Sequence, residues 1–259
     1  MYYNPFLPIY QKIMTHLYLI RHGEAVVNVQ PIMGGMRGDT GLTPRGVAQA
    51  ERLRDRLQAT REINADVLIV STLPRARQTA EIIAPALGVP IVFDDDVQEL
   101  RIGEADGMSL KEAWARFGVP DFRKYPFRPI APGGENWGQF ILRVGSTLDR
   151  IACEHAGKTV VIVCHGGVID GSFIYFFGIN SLSLPQVELF THNTSITHWE
   201  QHHLDGVARW RLWSYNDTTH LRDIGVTEGI RWTSFKPEPD TGASRPSVPL
   251  PTEEQEEEA

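Results

Sequence analysis

The stretch "LYLIRHGEAVVN" (residues 17–28) joins four apolar residues directly to Arg21, His22 and Gly23. A short apolar run of this kind predicts a strand buried on both faces, as in a parallel sheet that helices cover. Ligands of open α/β sheets bind beyond the carboxyl ends of the strands. A cation and a titratable ring therefore stand where this fold class places a binding site.

Two further apolar runs end in polar residues of the same kind. The run "DVLIV" (66–70) leads into a predicted helix start that carries Arg75. The run "KTVVIVCHGG" (158–167) is the clearest buried strand and ends with His165 and Gly166. Because the carboxyl ends of parallel strands share one edge of the sheet, these residues are expected to converge there.

Helical patterns alternate with the apolar strands along the chain. This alternation predicts an α/β fold, a three-layer α/β/α sandwich with a mostly parallel central sheet. Two late segments with alternating polarity, 187–201 and 208–216, predict two more strands, and 119–134 is a predicted loop. The predicted helices lie at 43–57, 73–87, 108–118, 134–155 and 168–178, with a further short strand at 90–93.

The composition predicts one folded domain at 16–235, an N-terminal extension at 1–15 and a disordered acidic tail at 236–259. Five of the acidic residues lie in the last eight positions, so most of the net charge of −7 belongs to that tail. No broad basic stripe indicates nucleic acid. No apolar run approaches the roughly 18 residues that span a membrane.

Cysteine usage favours a cytoplasmic protein. The chain has only two cysteines, and their spacing does not suit a metal site. Proteins of the reducing cytoplasm rarely depend on disulfides, so this is the predicted location. The late strands are rich in tryptophan, so a homodimer that forms through an edge of the sheet stays an open alternative.

The three strand ends share one chemistry, which suits a compact anion. Each end carries a cationic or potentially cationic side chain, and at least two open into helices whose N-termini offer free N–H groups. Arginine matches phosphate oxygens in two-point contact, so phosphate is the predicted ligand. We expect the rings of His22 and His165 to lie within about 10 Å of each other around it.

A histidine in such a pocket also suggests covalent chemistry. A neutral imidazole can attack phosphorus when one ring nitrogen is free and the other is held as a donor. Fixed cations then bind the equatorial oxygens, a role that suits Arg21, Arg75 and a protonated His165. An alkoxide leaving group needs a proton from a carboxylic acid. The turn-rich stretch after the third strand offers Glu99, Glu104 and Asp106 for this role.

Four motifs, "RHGEAVVN", "STLPRARQTA", "QELRIGEADG" and "VCHGG", occur in this order in the chain. Together they closely resemble the histidine phosphatase superfamily in its phosphoglycerate-mutase-like branch. The resemblance spans roughly residues 16–215, nearly the whole predicted domain. It implies a phosphoglycerate-mutase-like sandwich and makes this domain a histidine-phosphatase-like catalytic domain.

The resemblance also implies a role for each matching residue. The implied catalytic residues are His22 as the phosphorylated nucleophile, Arg21, Arg75 and His165 around the phosphate, and Glu99 as the general acid. Glu99 lies four residues before Gly103, as the family's acid does before its glycine, which favours it over Glu104 and Asp106. The implied substrate contacts are Asn28, Gly23, Gly35 and Gly166. Ala25 departs from the family pattern, in which a threonine or serine often stands.

The implied activity is that of a metal-independent phosphatase that hydrolyses a small phosphorylated metabolite, with no cofactor and no metal. Mutases of the family share a long insertion between the acid and the second histidine. Here Glu99 and His165 are 66 positions apart, which looks like the shorter phosphatase pattern. A phosphoglycerate mutase, a sugar bisphosphatase and a catalytically inactive phospho-ligand-binding module stay open as alternatives.

Overall fold

The computed structural model describes residues 14–180, 187–204 and 207–226. The predicted tail at 236–259, and all but Met14 and Thr15 of the predicted extension at 1–15, lie outside the described residues. The described chain forms a six-stranded, mostly parallel sheet with helices on both faces, so the predicted α/β/α sandwich is confirmed. None of the helices in the described ranges has the length and apolar character needed to cross a membrane.

The elements follow the predicted alternation of strands and helices. Most boundaries lie within about three residues of the predicted ones, which is the usual precision of sequence patterns. The strands are β1 (Thr15–Arg21), β2 (Val67–Ser71), β3 (Ile91–Asp94), β4 (Thr159–Cys164), β5 (Ile196–Leu204) and β6 (Val207–Asp217), and the helices are α1 (Val26–Val29), α2 (Pro44–Thr60), α3 (Pro74–Leu87), α4 (Leu110–Phe117), α5 (Trp137–Glu154) and α6 (Gly166–Phe176).

The sheet has the strand order β3-β2-β4-β1-β5-β6. The first four strands run parallel, β5 runs antiparallel to β1, and β6 runs antiparallel to β5. In the register of β1 and β4, Arg21 lies opposite Cys164. The next residues, His22 and His165, therefore leave the sheet side by side at its carboxyl edge.

The two faces of the sheet bury two separate sets of side chains. Leu17 and Leu19 of β1 pack with α5 and α6, whereas Ile20 packs with α2 and α3. All three residues are fully buried, and burying one such side chain contributes roughly 1.5–3 kcal/mol relative to leaving it exposed. Because both faces of β1 are buried, its sequence does not alternate between polar and apolar residues. The same packing fixes the position of its carboxyl end.

Capping residues set the ends of helices α2 and α3. Thr43 caps α2 by accepting a hydrogen bond from the Gly46 amide at 3.0 Å, and Pro44 occupies the first helical position. Helix α3 ends at Leu87 and is followed by Gly88, which adopts φ +70°. Helix α3 begins at Pro74, directly after β2 ends at Ser71, so Arg75 lies in its first turn.

The strand predicted over 187–201 begins only at Ile196, so this prediction is wrong for residues 187–195. Thr194 has φ +55°, a left-handed conformation that interrupts extended backbone. Its amide donates to the carbonyl of Arg21 at 2.9 Å. The alternating polarity of this segment reflects a turn packed against the end of β1 rather than a strand with two faces.

Candidate active site

His22 follows β1 and is buried, with 2% of its surface exposed. Its Nδ1 lies 2.7 Å from the carbonyl oxygen of Gly23. Because a carbonyl only accepts, Nδ1 carries the hydrogen and Nε2 keeps its lone pair. Gly23 has no room for a side chain, since a Cβ there would lie 2.5 Å from the carbonyl oxygen of Gly46. This tight turn fixes the ring with Nε2 as its nucleophilic atom.

Arg75 places its guanidinium directly against the nucleophilic nitrogen. Its Nε lies 3.1 Å from His22 Nε2, and its Nη1 donates to Asp39 at 2.8 Å and to the carbonyl of Gly34 at 3.1 Å. The ion pair with Asp39 is almost completely buried. Arg75 is therefore held rigidly where a phosphate on His22 would carry its charge.

His165 stands across the pocket from His22. The two ring centroids are 5.2 Å apart, inside the expected 10 Å. His165 Nε2 lies 2.7 Å from the Ser71 hydroxyl at the end of β2, and its buried Nδ1 has no hydrogen-bond partner among the described residues. Three strand ends thus supply the two imidazoles and the hydroxyl that orients one of them.

Both pocket histidines are neutral at pH 7. Burial lowers the pKa of His22 well below its usual range, and the guanidinium groups of Arg75 and Arg21 lower it further. Burial, followed by the charge of Arg75, lowers the pKa of His165 in the same way. The lowered pKa of His165 contradicts the expectation that this ring is protonated. A neutral His22 is the form that attacks phosphorus.

Arg21, the last residue of β1, lies beside the N-terminus of α6. Its Nη1 donates to the carbonyl of Thr191, while its buried Nε has no partner within the described ranges. Gly166 begins α6, and a Cβ there would lie 3.7 Å from Arg21 Nε. A guanidinium N–H and the first amides of α6 thus face the same space, which suits an anion.

Glu99 lies between β3 and α4 at the rim of this pocket. Its carboxylate accepts from the Gly167 amide at 3.0 Å and from the Leu100 amide at 2.9 Å. Arg143 of α5 donates to the Glu99 carbonyl at 3.2 Å and forms an ion pair with Glu135 at 2.6 Å. This half-buried pair anchors the loop that carries the acid beside the N-terminus of α6.

The two other carboxylates that the sequence offered as acids lie elsewhere. Glu104 pairs with Arg116 at 3.1 Å on the exposed surface. Asp106 accepts from the amides of Gly35 and Gly38 at 3.0 and 2.9 Å. A Cβ on Gly35 would lie 2.6 Å from the Asp106 carboxyl carbon. Gly35 and Asp106 therefore shape one loop at the pocket rim, whereas Glu99 bonds an amide in the first turn of α6, the helix that follows His165.

Asn28 lies on α1 and helps to hold the turn after β1. Its Oδ1 accepts from the Ala25 amide at 3.0 Å, and the Asn193 amide nitrogen lies 3.4 Å away. Asn193 also donates to the carbonyl of His22 at 3.0 Å. The Asn28 side-chain oxygen is thus engaged, and its Nδ2 is the atom able to donate to a phosphate oxygen.

The arrangement of the two histidines and two arginines agrees with the family to which the sequence is similar. The model of the histidine phosphatase superfamily (branch 1) matches residues 17–218. The chain belongs to the histidine phosphatase superfamily. The predicted family is confirmed, and with it the predicted enzyme class, a phosphatase of this superfamily.

Relatives cover most of this histidine phosphatase. It is 31% identical to the uncharacterized phosphatase PhoE of Bacillus subtilis, over 80% of this chain and 97% of that protein. It is 28% identical to the metal-independent phosphoserine phosphatase of Arabidopsis thaliana, over 83% of this chain and 87% of that protein. The solved structure of Bacillus stearothermophilus YhfR matches with a TM-score of 0.64 and 29% identity, over 80% of this chain and 99% of that one.

Several polar residues that support the site of this histidine phosphatase were not singled out from its sequence. Asp39 binds Arg75, Asn193 binds the His22 carbonyl, and Thr79 accepts from the Gly23 amide at 2.9 Å. Thr79 stands one helical turn after Arg75, a spacing that places both on one face. Asp39 and Asn193 come from irregular segments, for which periodicity gives no signal. Among the described residues, no cluster of three or more His, Cys, Asp or Glu side chains is suited to a metal ion.

Asp170 of α6 is a second carboxyl close to the phosphate side of the pocket. Its Oδ1 is buried without a hydrogen-bond partner in the described part of the chain. Burial raises the pKa of Asp170 to about 7, and the charges of Glu99 and Glu188 raise it too, whereas Arg21 and a hydrogen bond from Thr191 lower it. Asp170 is therefore neutral below about pH 7 and negatively charged above it.

We expect this ionisation to weaken anion binding. Above pH 7 the charged Asp170 repels an oxyanion beside Arg21, while His22 and His165 stay neutral because their pKa values are far lower. Sulfate is a suitable probe, since it remains a dianion throughout. Its calorimetric Kd is expected to rise several-fold between about pH 6 and pH 8.5. The Asp170→Asn variant should lack this rise, and an equal rise in both proteins would contradict the assignment.

Proposed function

We propose that this chain hydrolyses small phosphomonoesters through a phosphohistidine at His22, with Glu99 as the general acid. The observation that carries the proposal is the unprotonated Nε2 of a neutral, buried His22, which accepts a hydrogen bond from Arg75 Nε at 3.1 Å. Its ring is 5.2 Å from that of His165. No other pair of imidazoles in the described residues shares a buried pocket with two guanidinium groups.

In the first step, His22 Nε2 attacks phosphorus, so that the N–P bond forms while the bond from phosphorus to the ester oxygen breaks. Arg21, Arg75 and the N-terminus of α6 bind the phosphoryl oxygens. A Ser71 hydroxyl that donates to His165 Nε2 leaves the Nδ1–H of that ring as a further donor. The hydrogen bond from His22 Nδ1 to the Gly23 carbonyl stabilises the positive charge that the ring acquires.

Glu99 serves both halves of the reaction. Its acid form delivers a proton to the departing oxygen, which leaves as an alcohol. Its carboxylate form, which accepts hydrogen bonds from the amides of Gly167 and Leu100, then takes a proton from water. That water attacks the phosphohistidine, releases inorganic phosphate and restores the neutral imidazole.

Hydrolysis is favoured over phosphoryl transfer between substrate positions. The segment between Glu99 and His165 is short, and two of the relatives are named phosphatases. We further propose that the substrate is a small metabolite. We also propose a cytoplasmic location, which the free thiols of Cys153 and Cys164 support. A homodimer through the edge strand β6, where Trp213 is exposed, stays a prediction.

An assay with 3-phosphoglycerate and catalytic bisphosphoglycerate separates the candidate functions. A phosphatase releases inorganic phosphate from a panel of esters in the presence of a chelator, without forming 2-phosphoglycerate. Interconversion of the two phosphoglycerates without net release of phosphate would establish a mutase instead. Phosphate binding with no product from any ester would establish a binding module.

The Glu99→Gln variant tests the general acid. Glutamine keeps the size and acceptor oxygen of the side chain but has no proton to deliver to an alkoxide. We expect kcat for alkyl phosphates to fall by about 10²–10⁴-fold, with less than about a tenfold loss for 4-nitrophenyl phosphate, whose leaving group needs no proton. The control is Glu104→Gln, which alters an exposed carboxylate and should leave both rates unchanged. Equal losses for both substrate types would remove this role from Glu99.

A further inference from the structure

A cavity of about 420 Å³ lies in the irregular segment after α4, and its lining runs from Phe117 to Ile130. The described residues that line it include none of the candidate active site. Its volume is within the range of roughly 300–1,000 Å³ that small-molecule sites occupy. The cavity is therefore a candidate for a second ligand site, separate from the phosphohistidine chemistry.

Hydrogen bonds of the segment itself hold the backbone around this cavity. The Tyr125 amide donates to the carbonyl of Asp121 at 2.8 Å, and the Arg128 amide donates to the carbonyl of Tyr125 at 3.1 Å. Arg128 Nη2 also donates to the carbonyl of Phe117 at 3.1 Å, which joins the two ends of the segment. Three prolines between residues 117 and 130 restrict φ further. The walls are therefore already arranged before a ligand enters, which lowers the cost of binding.

Apolar side chains form a large part of the walls. Phe117, Val119 and Ile130 belong to the lining, as does the ring of Tyr125. Ile130 is buried, whereas Val119 is 39% exposed and Tyr125 is 47% exposed. A ligand with an apolar body would cover the exposed part of these side chains, and removing apolar surface from water favours binding.

Two cations, Lys124 and Arg128, belong to the same lining. Within the described ranges neither forms an ion pair: the Lys124 Nζ lies 5.1 Å from the centroid of the Tyr125 ring, and Arg128 donates to a backbone carbonyl. The acidic residue of the lining is Asp121, whose Oδ1 accepts from the Lys124 amide at 3.1 Å. An anionic ligand would therefore meet two cations that no carboxylate of the described chain neutralises by direct contact.

The stretch around the cavity is basic, although the chain as a whole is acidic. Residues 111–128 contain five basic and two acidic residues, whereas the whole chain has a net charge of −7. Lys111 and Arg123 are exposed in this stretch and lie outside the lining. Cations grouped in this way raise the local concentration of anions. The charge of the surroundings thus favours the same kind of ligand as the two cations of the lining.

We propose that this cavity binds a small organic anion, separately from the substrate of the candidate active site. The carboxylate or phosphate of the ligand binds Lys124 and Arg128, and its apolar body lies against Phe117, Val119 and Ile130. The described residues of the lining include neither a histidine nor a cysteine, so the site is one for binding rather than a second centre of phosphoryl transfer. The proposal does not depend on the proposed function.

Two probes of nearly the same shape, 2-naphthoate and 2-naphthamide, test the charge preference of the site. Calorimetric titrations use the full chain in a buffer that contains inorganic phosphate, so that the pocket at His22 is occupied. We expect 2-naphthoate to bind saturably, with a Kd at least about tenfold below that of the uncharged amide. Equal affinity for the two probes, or no saturable binding of 2-naphthoate, would overturn the proposal.

The double variant Lys124→Gln/Arg128→Gln assigns the binding to this cavity. It removes both cations of the lining, so the Kd of 2-naphthoate should rise at least about tenfold. The matched control is Lys111→Gln/Arg123→Gln, which removes the same charge from exposed residues outside the lining and should change the Kd by less than about twofold. Equal affinities in the two double variants would place the probe elsewhere on the protein and overturn the proposal.

The Val119→Glu variant separates loss of charge from loosening of the segment. It keeps both cations and the hydrogen bond from Arg128 to the Phe117 carbonyl, but it adds a carboxylate to the lining. The Kd of 2-naphthoate should rise at least about fivefold, and a wild-type Kd would overturn the proposal. Hydrolysis of 4-nitrophenyl phosphate is measured in parallel and should stay within about twofold of the wild type in every variant. Failure of the proposed function would appear in the hydrolysis of the wild type, and failure of the second site would appear in the binding of 2-naphthoate.

Discussion

The His22→Asn variant is expected to form no phosphoenzyme and to lose about 10⁴-fold or more of kcat/KM. Asparagine fits the space of the ring, and its amide nitrogen can still donate to the Gly23 carbonyl in place of Nδ1. The phosphate pocket therefore survives, while the nucleophilic nitrogen is gone. Because the whole route passes through one N–P bond, no neighbouring side chain replaces the lost atom.

The measurement is a rapid acid-free quench after mixing the enzyme with an ester labelled in its phosphoryl group. The wild type should carry label that is stable in base and labile in acid, as a phosphoramidate is. The exposed His203 lies on β5, so His203→Asn serves as the matched control and should label normally. Label on the His22→Asn variant, or an acid-stable and base-labile linkage in the wild type, would place the covalent intermediate on another residue.

The Arg75→Met variant is expected to lose both activity and stability, for two separable reasons. Removing a donor from the phosphoryl oxygens should lower kcat/KM by about 10²–10³-fold. The Asp39 side chain, fully buried with Arg75 as its cation, would be left as an unpaired charge. Breaking a buried pair in this way costs about 3–5 kcal/mol of the free energy of unfolding.

The double variant Arg75→Met/Asp39→Asn separates the two effects. It removes the orphaned charge, so urea unfolding should show that a large part of the lost stability returns, while kcat/KM stays low. Arg77→Met is the control, because Arg77 lies on the exposed face of the same helix, above the Phe93 ring. A double variant as unstable as the single one would mean that Asp39 is not the cause of the loss. Normal activity in Arg75→Met would remove Arg75 from phosphoryl binding.

The order of elements and the strand ends were predictable because they follow from local pattern. The apolar runs that form β1, β2 and β4 have apolar side chains on both faces. Only a sheet with helices on both sides buries both faces of a strand. Arg21, His22 and His165 follow these runs directly, and their convergence needs only parallel register. The pocket was therefore predictable because its residues directly follow predicted strands in the sequence. No contact between distant residues had to be known.

The errors lie where contacts between distant residues override the local pattern. The segment 187–195 alternates like a strand, but Thr194 takes a left-handed conformation to meet the end of β1. His165 was expected to be protonated, yet burial and neighbouring charges keep it neutral. Neither effect is visible in the residues on either side of the position concerned.

By itself, the sequence determined that helices cover both faces of a mostly parallel sheet. It also determined that imidazole and guanidinium groups lie at the carboxyl edge of that sheet. These features depend on the spacing of apolar residues and on the chain direction, which are local quantities. The tertiary structure alone decided that His22 presents Nε2, that Asp39 holds Arg75 and that Glu99 accepts from the Gly167 amide. Hydrogen-bond direction, burial and charge pairing depend on which distant residues come together, and the folded chain sets that for these groups.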